Sequence, residues 1–320
     1  AEAPAPARSE PGGIKLRPQA PGAYIGLGSQ LWTRLVLADW GLDRGDGVAR
    51  AIALAEGIPE AAAADDIHDI LTGKAGAIGP LLVLARRTGD ARFVEMASAL
   101  GDTLCELAQR KGDGAFWTHQ SWPEGVGGFA HGVTGIGWAL TRLARATGAS
   151  RHAQMARAAF AFEEALFDEG EQNWLDLRLL DGQKTAAAWC HGSVGIGLAH
   201  ANLDPGMESP QTRLMLRRAA AATWRTGFGW NHAACHGDLG AWELLDRAIA
   251  AGEGPEGLTR EHLLGTILTS IEEQGPSCGI ARDAFIPGLL PGLGGVAYQL
   301  LRAHPENRLP SILTVGGEDL

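Results

Sequence analysis

A chain of 320 residues with 45% hydrophobic and 20% charged residues can bury one large core, so its length does not force a division into domains. A formal net charge of −10 excludes recognition of a nucleic-acid backbone by phosphate neutralisation and favours a neutral or basic peptide as partner. No stretch approaches the roughly 18–20 uninterrupted apolar residues that span a bilayer, and the start lacks the basic-then-apolar layout of a secretion signal; the expectation is a soluble, cytoplasmic protein without a membrane span.

The chain opens on AEAPAPARSEPGG, whose Ala/Pro bias marks residues 1–20 as a linker-like segment, and it starts with alanine, as a piece of a longer protein would. Residues 21–320 are expected to form one domain. Its glycines, 45 in the whole chain against 16 prolines, need a structural reason. A repeated G-x-x-G element followed by an apolar helical run supplies one. Copies begin at Gly26 (with Ser29 in place of the second glycine), Gly73, Gly132, Gly192, Gly237 and Gly292, at spacings of 47, 59, 60, 45 and 55 residues. Each interval holds two helices of about 11–18 residues and their connections.

The runs after the glycines are apolar around most of their circumference, as at Ile136, Trp138, Ala139, Leu140 and Leu143, and predict inner helices buried on several sides. The stretches between, such as RFVEMASALGDTLCELAQR and RHAQMARAAFAFEEALF, carry apolar residues at three-to-four spacing and predict amphipathic outer helices. Glycine in a first turn lets backbones approach closely, which a ring of inner helices requires. Alternating β-branched runs are absent. The expected fold is all-α, an α/α toroid of concentric inner and outer helices with six repeats visible; an open-ended α-solenoid is the alternative.

The residues before each G-x-x-G share one phase of the repeat and would share one rim of a closed ring. Asp69 stands four residues before Gly73, His131 directly before Gly132, Trp189-Cys190-His191 before Gly192, and Cys235-His236 before Gly237; only Pro291 precedes Gly292. Two Cys-His pairs one repeat apart suit zinc, which takes thiolate and imidazole ligands tetrahedrally. Cys190, His191, Cys235 and His236 are the candidates: three ligands leave an open, catalytic position, and four close a structural site. Four cysteines are too few for a disulfide scaffold, and Cys105 and Cys278 read as small buried hydrophobes. His131 is a candidate acid/base group, while Asp69 is either a helix N-cap or part of the rim chemistry. The glycines are not phosphate loops, since they lie between helices rather than after strands.

The segments DILTGKAGAI, GFAHGVTGIG, AWCHGSVGIG, ACHGDLG and PGLLPGLGGVAYQLLR resemble the lanthionine synthetase cyclase family from about Gly22 onwards, with WCHG and the later CHG carrying most weight. The GAYIGLGSQLW start and LPSILTV ending are most similar to the C-terminal cyclase domain of class II bifunctional lanthipeptide synthetases. This resemblance implies an α/α toroid usually described with seven inner and seven outer helices. It implies zinc held by Cys190, Cys235 and His236 with His191 outside the ligand set, His131 as the acid/base histidine, and Asp69 on the rim. The implied reaction adds cysteine thiols to dehydroalanine or dehydrobutyrine, forming lanthionine or methyllanthionine rings in a dehydrated precursor peptide. A dehydratase, fused or separate, would prepare that substrate.

On this reading His131 protonates the enolate α-carbon, His131 or His191 first takes the thiol proton, and Asp69 orients a histidine or binds peptide backbone. Stand-alone members place arginine four residues before the first zinc cysteine, where this chain has Ala186 with Lys184 nearby, and tyrosine where His191 sits. Two other readings stay open: a zinc-dependent thiol-alkylating transferase such as a toroidal prenyltransferase, and a non-catalytic relative that binds a thiol or a peptide.

Overall fold

The structure is a computed structural model that describes residues 19–64, 66–178, 182–280 and 285–317. The linker-like segment expected at residues 1–20 therefore lies almost wholly outside the described residues. In chain order the elements are α1 (Leu27–Asp39), α2 (Gly47–Glu56), α3 (Ile58–Ala63), α4 (Lys74–Thr88), α5 (Arg92–Leu107), β1 (Gln109–Lys111), β2 (Gly114–Phe116), α6 (Val133–Thr147) and α7 (Ser150–Glu164). Then follow β3 (Phe167–Asp168), β4 (Asn173–Trp174), α8 (Ser193–Ala201), α9 (Pro210–Thr226), α10 (Asp238–Ala250), α11 (Arg260–Gln274) and α12 (Leu293–Ala303).

The six repeat glycines Gly26, Gly73, Gly132, Gly192, Gly237 and Gly292 are the N-cap residues of α1, α4, α6, α8, α10 and α12. These six, among the described residues, are the inner helices. They pack in succession, α1 on α4, α4 on α6, α6 on α8, α8 on α10 and α10 on α12, and each of the first five lies against the outer helix that follows it. The α4 residues from Lys74 to Ala85 are all buried, whereas α5 buries only Phe93, Ala97, Leu100, Gly101 and Leu104, a single stripe at helical spacing. Inner and outer helices thus differ as their sequences predict, and the fold is an all-α toroid.

The second glycine of the element has a steric cause. A Cβ at Gly76, Gly135, Gly195, Gly240 or Gly295 would lie 2.1, 2.0, 2.1, 2.1 or 1.7 Å from the carbonyl oxygen of Ile70, Phe129, Trp189, Ala234 or Leu289 respectively, in each case the residue six positions earlier. In these five helices the entry loop folds back over the first turn, and only glycine admits it. The close approach expected between helices is thus chiefly an approach of each helix to its own entry loop.

These entry loops are stitched to one another. The amide of Ala23 donates to the Ile70 carbonyl (3.1 Å), Leu71 to Ala130 (3.1 Å), Ala130 to Cys190 (3.2 Å), Trp189 to Cys235 (2.8 Å) and Cys235 to Leu290 (3.1 Å). Equivalent positions of successive repeats therefore sit side by side on one rim.

Residues 311–317 run through the middle of the ring. Glu243 on α10 accepts the Ser311 hydroxyl, the Leu313 carbonyl accepts the Trp189 indole N–H (2.8 Å), and the Val315 amide donates to the Tyr24 hydroxyl (3.4 Å). Ile312, Leu313 and Val315 are buried there. Trp189 is itself 1% exposed and packs on Tyr24 and Phe129, so it belongs to the core.

The connections after α5 and α7 contain two short antiparallel hairpins, β1–β2 paired from Gln109 with Phe116 and β3–β4 paired from Phe167 with Trp174. Strands of two or three residues carry no alternation that a sequence pattern could register. Among the described residues no helix is long and apolar enough to cross a membrane.

Candidate active site

The stitch from Trp189 to Cys235 brings the two Cys-His pairs together. The Cys190 and Cys235 side chains share a hydrogen bond, and that bond is the main reason the Cys190 thiol is held down to about 6; His236 and Arg178 add to it against the opposing effect of burial. Cys235, as the donor of that bond, is pushed up, and burial pushes it further. The pair takes one negative charge readily and resists a second.

His236 Nε2 lies 2.5 Å from the Gly279 carbonyl oxygen. A carbonyl only accepts, so Nε2 carries the hydrogen and the lone pair of the neutral ring is on Nδ1. A Cβ at Gly279 would come within 2.4 Å of Nε2, so the ring occupies space that only glycine leaves free. Two thiols side by side, with a neighbouring imidazole whose far nitrogen is anchored on a backbone carbonyl, form a donor set of the kind zinc takes. Among the described residues no three such side chains already converge in metal-holding geometry. The fit is therefore one of donor chemistry and neighbourhood.

Asp69 is not the N-cap of α4, which is Gly73, but braces the loop before that helix and also faces His131. Its Oδ1 accepts the amides of Thr72 (2.8 Å) and Gly73 (2.9 Å) at the entrance to α4, and its Oδ2 lies 2.7 Å from His131 Nδ1. With Nδ1 held by Asp69, Nε2 is the other ring nitrogen of His131, on a side chain that is 26% exposed. His131 stacks on His191 with ring centroids 5.5 Å apart. His191 is buried, and its Nδ1 has no hydrogen-bond partner among the described residues. Burial, reinforced by the Arg178 and His131 charges, pushes His191 down to about 4, so at neutral pH it is uncharged.

Three neighbours carry no repeat phase and escaped the sequence reading. Arg178, in the loop after β4, donates from Nε to both oxygens of Asp176 (2.9 and 3.1 Å), and its charge acts on Cys190, Cys235 and His191. Lys184, by contrast, is 73% exposed and paired with Glu171, and Ala186 is buried, so the charge beside the thiols comes from Arg178. Trp122 packs on His131 (5.6 Å) and His191 (6.2 Å). Behind His191, Glu163 accepts the Gly128 amide (2.7 Å) and the Thr134 hydroxyl (2.8 Å); burial, only partly offset by these bonds, raises its carboxyl to about 7. Of the remaining cysteines, Cys278 is buried as expected, directly before the Gly279 that anchors His236, and Cys105 is only half-buried.

The family model described as lanthionine synthetase C-like protein matches residues 16–314. The chain belongs to that family. No curated protein matches the chain. Among solved structures, nisin cyclase superposes with a TM-score of 0.64 at 17% identity, over 88% of this chain and 76% of its own. The Lin0763 protein from Listeria innocua gives 0.59 at 12% identity, over 88% and 86% of the two chains. An α-1,6-mannanase from Salegentibacter gives 0.53 at 14% identity, over 90% and 88%. At such identities these likenesses concern the toroid alone, which this family shares with a glycoside hydrolase.

Proposed function

We propose that this chain is a zinc-dependent peptide cyclase that adds cysteine thiols to dehydroalanine or dehydrobutyrine in a dehydrated precursor peptide, closing lanthionine or methyllanthionine rings. One observation carries the reading: the stitched rim sets a thiol pair and an aspartate-anchored histidine on either side of His191. Cys190 and Cys235 through sulfur, and His236 through Nδ1, are the residues that would hold the zinc. When bound, zinc supplies deprotonation of the peptide thiol, of which only a few per cent is ionised at pH 7 given a free pKa of about 8.5.

The remaining work falls to this chain's side chains. His131 Nε2 takes the thiol proton. As the sulfur bonds to the β-carbon, the C=C electron pair moves toward the acyl oxygen to give an enolate, and His131 Nε2 returns the proton to the α-carbon. Asp69 fixes the ring through Nδ1 and stabilises its charged form between these two transfers. His191, neutral and poorly basic, is better suited to walling the histidine against the thiol pair than to taking the proton itself. Arg178 offers positive charge on the cysteine side, where the enolate oxygen develops its negative charge. The prenyltransferase reading needs an aspartate among the ligands, and Asp69 is committed to Thr72, Gly73 and His131 instead.

The test is mass spectrometry of a dehydrated precursor incubated with the protein, with a thiol-alkylating reagent to count free cysteines. Loss of free thiols by the wild-type chain, together with loss of both zinc and ring formation in Cys235→Ala, is the expected outcome. Free thiols equal to those of a no-enzyme control would refute it.

A further inference from the structure

A groove of about 1310 Å³ runs along the outside of the ring and ends beside the candidate acid/base pair. One wall is a single face of α5, where Glu95, Met96, Ala99, Leu100, Thr103 and Leu107 follow one another at three-to-four spacing. Ile58 and Ala62 of α3 form the facing wall. At its inner end Ile67, His68, Thr118 and His119 line both the groove and a small hollow that also contains Asp69, Trp122 and His131. Rings mark the passage: His119 packs on Trp122 at 5.0 Å, Trp122 on His131 at 5.6 Å, and His131 on His191 at 5.5 Å.

We propose that this groove binds the part of the precursor peptide that lies outside the ring being closed, as an extended segment with apolar side chains and a basic flank. The proposal rests on the cyclase reading above for the identity of the peptide. Continuity with the hollow that holds His131 argues for the occupant, because a peptide with a reacting residue at His131 must leave the site along some path. The hollow on the other side of His191 is too small for a peptide, about 10 Å³, and is backed by buried Glu163 and Trp174. From Glu95 to Leu107, α5 offers about 18 Å, room for about five or six extended residues. The wall is apolar at Met96, Ala99 and Leu107, the last 42% exposed. Arg92 at its outer end is taken up by Asp90 and Glu56, while Asp66 and Glu95 stay exposed and favour a basic flank on the peptide.

The experiment uses two fluorescein-labelled synthetic peptides containing one cysteine and one dehydroalanine. One is bare; the other carries an apolar extension of about six residues with flanking lysines, the length that the groove accommodates. Ala99→Trp fills the groove from an exposed helix position, and Ala146→Trp, on an exposed position of α6, is the control. Fluorescence anisotropy and ring formation are read for both peptides. The wild type and the control should prefer the extended peptide by about tenfold or more, in Kd and in kcat/KM, and Ala99→Trp should abolish that preference. Equal binding of the two peptides by the wild type, or a preference that survives Ala99→Trp, overturns the groove assignment. If the extended peptide is preferred and the preference falls with Ala99→Trp but no ring forms in any arm, the groove stands and the cyclase reading fails.

Discussion

Gly279→Ala isolates the positioning of one candidate zinc ligand. The added methyl would lie 2.4 Å from His236 Nε2 and 2.9 Å from its Cε1, where about 3.4–4 Å is needed for non-bonded contact, so the ring must retreat by about 1 Å and give up its bond to the Gly279 carbonyl. Zinc–ligand distances tolerate only about 0.2 Å. Gly279 is not one of the positive-φ glycines, so alanine fits its backbone and the perturbation falls on His236. Loss of a ligand's supporting hydrogen bond weakens metal binding by about 10- to 100-fold, or about 1.4–2.8 kcal/mol. Competition against a chromophoric zinc chelator measures this directly, and urea unfolding of the metal-free protein checks that the fold persists. Combined with His236→Ala, the glycine substitution should add little, since both act through one ligand. Zinc affinity within twofold of wild type in Gly279→Ala, with the fold intact, would refute the assignment of His236 as an anchored ligand.

His131→Asn should keep zinc content unchanged and lower ring formation by about 10²–10⁴, measured by free-thiol counts over time; full activity removes His131 from the mechanism. In the zinc-free protein Cys190 should alkylate with a midpoint near pH 6, and Cys235→Ala should move that midpoint up toward about 8.5 by deleting the hydrogen bond that stabilises the thiolate; a wild-type midpoint already near 8.5 contradicts the pairing. Glu163 has a folded pKa of about 7 against an ordinary 4.5, so the folded state keeps a proton that the unfolded chain releases. Its contribution to stability is complete below pH 4.5 and lost as pH rises through 7, a swing of about 3 kcal/mol. Glu163→Gln, which can still accept from Gly128 and Thr134, should therefore gain on wild type across that window in urea unfolding; parallel pH profiles for the two proteins would refute the burial of an ionisable group there.

Five of the six inner-helix starts are readable in the sequence because the second glycine of the element answers to a local clash, with the carbonyl six residues earlier, that recurs where the entry loop folds back; the first start, with Ser29 at that place, is readable from Gly26 and the apolar run after it. The neighbourhood of Cys190 and Cys235 is readable because at least one backbone hydrogen bond per repeat carries each entry loop to the next. What escapes the pattern comes from segments outside the repeat. Arg178 acts on the thiols from the loop after β4, and Trp122 reaches His131 from the long loop after β2. Trp189 shares the phase of the rim yet points inward to Leu313, since an indole of that size is best buried with its N–H satisfied. Asp69 could not be divided between loop support and histidine partner from sequence, because one oxygen accepts the Thr72 and Gly73 amides while the other meets His131.

The segment threaded through the ring bears on when the site is finished. During synthesis α1 to α10 emerge well before residues 311–317, so until those residues arrive the indole next to Cys190 lacks its Leu313 acceptor, and Glu243 inside the ring lacks Ser311. Domains that fold as the chain is made tend to set their early parts first. Here the loop that bears Cys190 is braced by a residue 124 positions further along the chain, so its final support is a long-range contact that local folding of the loop cannot supply.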